Sequence, residues 1–408
     1  MRFSLVIRAT LALSAAAAAP SHAANPPIRS RAELERYLRD TPIASTPLAP
    51  LPPAARRRFL ARLTFGAQGA DIDLGEPEAW LSRPEVANLF ALFGRQELAE
   101  RLDIGLTATQ KARRVREREE DARHRGCIPD RCPESDIERR FDRLSAISHV
   151  SLPDAQRFAA EKRDYDRLFA RFQRADRLRE LSAPDLRLLV RAVRQTLYVA
   201  PDAGHVEQLR DDLAEMQRRR MTEAEDFIDL YRAQIGARQF DQAAALRRQH
   251  PGMGVPALPA FKSDHATFAG VPTALSVDIR SGSMHRQAMH LDGPLRIVVI
   301  AGCHFSEDAA RAIEADASLR PLFAQHSIWL AAPSQRIEDI AGWNREFSDL
   351  PMHVAWNQAE WSMLPDWGMP TYYVFRHGRE IARFSGWLGI ARLKQALRDA
   401  GAMTMPQQ

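Results

Sequence analysis

The 408-residue chain is 45% hydrophobic and 27% charged, a globular composition that excludes wholesale disorder and leaves room for two domains. Its 57 Lys and Arg against 52 Asp and Glu give a formal net charge of only +5, too little to mark nucleic acid as a partner. Three cysteines make one possible pair and leave one over.

Arg2 and Arg8 open the chain, an apolar run follows over 9–19, and Pro20 leads into Ser21-His22-Ala23. A basic start, a short apolar stretch and small residues before the cut predict a signal peptide over 1–23. The predicted location is therefore the periplasm, or the medium if export goes further. The apolar run is too short for a spanning helix, which needs about 20 residues, so no stable membrane insertion is expected. Loss of the two leader arginines lowers the formal charge from +5 to +3.

Residues 24–58 carry Pro26, Pro27, Pro42, Pro47, Pro50, Pro52 and Pro53, predicting an extended or loosely packed entry segment. From there the apolar spacing becomes helical. Val86, Leu89, Phe90, Phe93, Ala99 and Leu102 share one side of a stretch over 85–102. Further helices are predicted over 134–148, 153–181, 183–199, 203–220 and 222–250, with Ser182 and the Thr222/Glu225 spacing as start signals. No strand pattern interrupts them, so 59–250 is predicted to be an all-α domain. Stretches such as 111–125 alternate in charge and read as solvated helix faces. The pair 222–234 and 240–249 resembles a tetratricopeptide-type hairpin, with no clear second copy at a fixed period.

Proline and glycine cluster over 251–261, and 251–264 is predicted as a linker. Short apolar runs and turns follow. Strands are predicted at 275–279 and 287–291 around Ser281-Gly282-Ser283, then at 295–300, 327–331, 352–355, 371–375 and 380–384. Helices are predicted at 307–317, 337–347 and 390–400. This alternation implies a mixed sheet with helices on both faces over 265–402, so the fold class is α + α/β.

Cys303 lies in Gly302-Cys303-His304-Phe305-Ser306, between a buried strand and the first turn of a helix. Unpaired amides and the helix dipole favour a thiolate at such a place, and a thiolate is the species that attacks disulfides and sulfenic acids. A protonated His304 would add to that effect. Strand, Cys-x-x-Ser, helix, strand and helix, followed by Trp367-Gly368-Met369-Pro370-Thr371 and Phe384-Ser385-Gly386, resemble the thioredoxin superfamily. The extra elements between 334 and 361, with the hairpin ahead of the core strand, look most like the periplasmic thiol–disulfide oxidoreductases of cytochrome c maturation. The resemblance implies a cis-proline at Pro370 facing the cysteine, with Met369 and Trp367 in the substrate-binding groove. It departs from the family at three positions. Ser306 replaces the second cysteine, Gly302 the usual tryptophan, and Ile297 the buried acid. A monothiol remains, with Ser306 placed to hydrogen-bond the sulfur.

Cys127 and Cys132 lie in a turn-rich loop, Gly126-Cys127-Ile128-Pro129-Asp130-Arg131-Cys132-Pro133. A structural disulfide is the reading preferred. The alternatives are a resolving pair for Cys303, or a metal site with His124, which lacks a fourth ligand. Trp343, Trp356, Trp361 and Trp367 read as core or rim packing, or else as an apolar lip for a client.

The expected function is an exported monothiol thioredoxin-like protein that forms mixed disulfides with client proteins, or reduces them, through Cys303. An external thiol reductant would complete the cycle, and no cofactor or metal is expected. The alternative is a non-catalytic scaffold that binds partners through the groove and the helical domain and leaves the thiol idle.

Overall fold

The computed structural model describes residues 26–403 apart from 67, 68, 103, 148, 150, 264–267 and 269, so the expected leader over 1–23 lies outside the described residues. Among them, no helix is long and apolar enough to cross a membrane. The chain divides into two compact units between Arg116 and Glu117, within the helix Ala108–His124. The stretch expected as one helical domain over 59–250 is therefore shared between the two.

In the first unit the proline-rich entry segment is not loosely packed. Ser30 caps the helix Arg31–Asp40 by accepting from the Glu33 amide, and Pro52 and Pro53 begin the helix Pro53–Arg62. Proline suits a first helical turn because its missing N–H would have no partner there. Leu34, Leu48, Leu51, Phe59 and Leu63 are buried with Val86, Leu89, Phe90 and Phe93 of the helix Arg83–Leu92. The all-α expectation also needs correction: β1 (Thr64–Gly66) and β2 (Gly69–Asp71) form a small antiparallel hairpin. Three-residue strands are too short to show an alternating pattern in sequence.

In the second unit, helices Asp136–Ala146, Asp154–Phe169, Ala183–Val199, Ala203–Arg218, Ala224–Gly236 and Phe240–Gln249 precede the sheet. Ser182 caps Ala183–Val199, whose Leu186, Leu189, Val193 and Leu197 form one buried stripe. The helix expected from Thr222 starts one residue later, where Glu223 and Asp226 form the capping box.

The sheet strands are β3 (Ala260–Lys262), β4 (Thr273–Asp278), β5 (Ser283–Ala288), β6 (Arg296–Ile300), β7 (Ser327–Ala331), β8 (Met352–Ala355), β9 (Thr371–Arg376) and β10 (Arg379–Ser385). Their order is β10-β9-β6-β7-β8-β4-β5-β3, with β6-β7-β8 parallel and β9 antiparallel to β6. Covering on both faces explains why β6 is apolar without interruption from Ile297 to Ile300. Ile297 and Val299 join the core shared with the helices of this unit, while Val298 and Ile300 join Trp361, Leu364, Trp367, Tyr373 and Phe375 on the other face. The outer strand β10 carries exposed Arg379, Glu380 and Arg383-side chemistry and a register shift between Glu380 and Ala382.

Candidate functional site

The chain leaves β6 at Ile300, and the Ala301 amide still donates to Leu330 O at 3.0 Å. Gly302 then takes φ +141°, a backbone conformation that strains any L residue. A Cβ here would also stand 2.8 Å from Gln335 Oε1 and 3.3 Å from Met369 Sδ. Those two flexible side chains could shift aside, so it is the backbone conformation that favours glycine over the tryptophan.

Cys303 follows as the N-cap of the helix His304–Ala315, half-buried and free. Its Sγ does not take the capping hydrogen bond from the helix amides. It lies 3.5 Å from Ser306 Oγ and donates to Met369 O, also at 3.5 Å. Ser306 is fully buried one turn into the helix, so its hydroxyl approaches the sulfur from the protein side. The Met369–Pro370 bond is cis. Pro370 is buried, its carbonyl accepting from the Gly386 amide at 2.7 Å, while Met369 is 42% exposed. Among the described residues the Met369 amide has no hydrogen-bond partner. A half-buried sulfur therefore sits beside a residue whose backbone donor is unused, with exposed Phe305 two positions on in the helix.

Two of the expected site residues take these positions. His304 is exposed with its ring against Phe305, at 3.9 Å between centroids, and among the described residues no hydrogen bond joins it to Cys303. Trp367 is buried, and its indole donates to Leu364 O at 2.9 Å. Only 8% of it is exposed, which leaves little of the ring to line a client groove. Trp343 and Trp361 are buried likewise and Trp356 is partly buried, which makes this group packing rather than a lip.

Tyr372, two residues past Pro370, was not singled out by the sequence, although that short spacing was a usable signal. Its ring stacks on Phe384 at 5.0 Å, and among the described residues its buried hydroxyl has no hydrogen-bond partner. Burial, and then the nearby Cys303 sulfur, raise its ionisation well above the ordinary tyrosine range, so the proton stays on. Tyr372, Phe384, Gly386, Trp387, Leu388 and Leu393 border a cleft of about 220 Å³.

Cys127 and Cys132 are joined in a disulfide with Cα atoms 5.2 Å apart. His124 turns its Nδ1 to Glu120 O at 2.9 Å. No group of three or more metal-ligating side chains occurs among the described residues. Compared with known proteins, the chain matches no family model, no curated sequence and no solved structure. The case for its function therefore rests on the residues around Cys303.

Proposed function

We propose that this chain is an exported monothiol protein whose segment 265–402 is a thioredoxin-like domain, acting on client thiols and disulfides through Cys303. One observation carries the reading: a lone, half-exposed sulfur at a helix start, 3.5 Å from the carbonyl of the residue that precedes a cis-proline. The layout of β6, helix His304–Ala315, β7, β9 and β10 supports it.

In the proposed chemistry the Cys303 thiolate attacks one sulfur of a client disulfide. A Cys303–client disulfide forms, and the other client sulfur leaves as a thiolate and takes up a proton. A second cysteine would resolve this adduct, but Ser306 cannot, so a low-molecular-weight monothiol must. The first monothiol displaces the client as a thiol and remains on Cys303, and a second attacks that adduct, returning Cys303 as a free thiol and leaving as the disulfide of the two monothiols. The balance is one client disulfide reduced and two monothiols oxidised. With a client sulfenic acid, the first step forms the same adduct and releases water. Met369 offers its amide to the client backbone, Pro370 fixes that amide's direction, and Ser306 hydrogen-bonds the sulfur. The helices that share the core with the sheet hold the partner.

One feature favours the second reading, a scaffold with an idle thiol: Cys303 Sγ takes no helix amide and instead donates to Met369 O. The test is mass spectrometry of the protein incubated with a short peptide disulfide, beside alkylation by iodoacetamide. An adduct mapped to Cys303 supports the redox reading. Alkylation without any peptide adduct supports the scaffold.

A further inference from the structure

The loop that carries the cis-proline is held by a residue more than two hundred positions away. Asp154 is the first residue of the helix Asp154–Phe169 and is 8% exposed. Its N-cap, Pro153, has no side-chain acceptor and no N–H of its own, so this helix start depends on outside partners. The cis-proline loop supplies them. The Asp154 amide donates to Pro365 O at 3.1 Å, and the Trp367 amide donates to Asp154 Oδ2 at 2.5 Å. The other carboxylate oxygen, Oδ1, pairs with Arg157 at 2.6 Å. The exchange is reciprocal, as in a capping box, but it joins two remote segments of one unit.

The grip passes to the site through a tightly bonded loop. The Trp367 indole is fixed to Leu364 O, and the Asp366 amide donates to Tyr373 Oη at 2.8 Å. The Tyr373 hydroxyl donates back to Asp366 O at 2.7 Å, and Asp366 Oδ1 accepts from Gly368 at 2.8 Å. The next residue is Met369, whose carbonyl meets Cys303 Sγ. A buried amide that loses a charged acceptor is costly to leave unpaired, so the Trp367 backbone has strong reason to follow Asp154.

We propose that Asp154 is a positioning residue for the Cys303 site: by holding Trp367 it fixes where Met369 and Pro370 stand relative to the sulfur. The inference gives the helix Asp154–Phe169 a part in the chemistry, and its redox consequence rests on the function proposed above. The carboxylate touches neither client nor sulfur, so its effect must be selective. A small alkylating agent needs only the sulfur, whereas a peptide disulfide also needs the Met369 backbone in register.

The test compares Asp154→Ala, Asp154→Asn and the unaltered protein by two measurements: amide hydrogen exchange over 365–370, and Cys303 reaction rates with iodoacetamide and with a peptide disulfide. Asp154→Ala should lose protection at Trp367. It should also react at least about tenfold more slowly with the peptide, while alkylation stays within about twofold. Asp154→Asn keeps an acceptor oxygen and should restore most of the peptide rate. Should the alanine variant fail to fold, Asp154→Glu moves the acceptor by one methylene while keeping the charge at the helix start. Unchanged protection in the alanine or glutamate variant, or lost protection with an unchanged peptide rate, overturns the proposal. If the unaltered protein is alkylated but forms no peptide adduct, the redox reading fails, and hydrogen exchange alone then decides whether Asp154 holds the loop.

Discussion

Two cysteine settings in the second unit invite comparison. In the helical part, Cys127 and Cys132 consume each other's reactivity, and the loop between them is tied further by Arg118, which donates to Asp130 at 2.8 Å. In the sheet part, Cys303 has no sulfur partner and lies among groups placed by other elements: Ser306 from its helix, Met369 from the loop, Gly302 from the strand end. The histidines differ in the same way. Burial opposes a cation on His205, but Asp202 and Asp166 at its two ring nitrogens outweigh it and raise its ionisation. In the sheet, burial and then the His285 charge lower His353 to about 4, with the Ser276 hydroxyl at its Nδ1. His205 is compensated in place by two carboxylates, whereas the sheet keeps an open sulfur and a neutral imidazole.

The largest expected effect breaks that contrast at its centre. Cys303→Ser should abolish every covalent adduct with a peptide disulfide in mass spectra, while a paired Cys127→Ser, Cys132→Ser variant should retain the adduct. Adducts that survive Cys303→Ser would place the reactive sulfur in the helical part. The second effect concerns acid. His353 ionises lower in the folded chain than its unfolded value of about 6.5, so its contribution to stability is complete above about pH 6.5 and is lost as pH falls toward 4. His353→Gln should flatten that acid loss by at most about 3 kcal/mol in urea unfolding. His205 has the opposite sign. Its folded value is raised, so its contribution is complete below about pH 6.5 and is lost as pH rises through the higher, folded value. His205→Gln should therefore cost more at pH 5 than at pH 9.

Removing the disulfide by the paired serine substitution should lower stability by about 2 kcal/mol, because it frees only a small loop in the unfolded chain. Equal unfolding midpoints with and without a reductant would show that the bond contributes nothing. The smallest effect is expected from Tyr372→Phe, which removes a buried hydroxyl that has no partner among the described residues and should change stability by less than about 1 kcal/mol. A larger loss would reveal a partner for that hydroxyl.

Much of the sheet was legible because its rules are local. The run at 295–300 and the hairpin around His377-Gly378 signal strands through residue type and turn chemistry alone. The proline-rich entry segment misled because proline breaks helices internally yet starts them well, and Pro52-Pro53 does the second. Trp367 lies in a motif that suggested a groove, but whether an indole faces in or out depends on packing against Leu364, which spacing does not encode. The reciprocal bonds of Asp154 were beyond any pattern reading, since the partners lie 213 positions apart and carry no shared motif.

The outer strand β10 has a consequence for association. A bare sheet border invites a second chain to lay a strand along it, and such growth has no natural end. Here the offset between Glu380 and Ala382 spoils the regular spacing of bonding groups, and Arg379, Glu380 and Arg383 set charge along the rim. A stray extended segment meets a poor template there. That discourages the chain from adding strands of its own kind along this border.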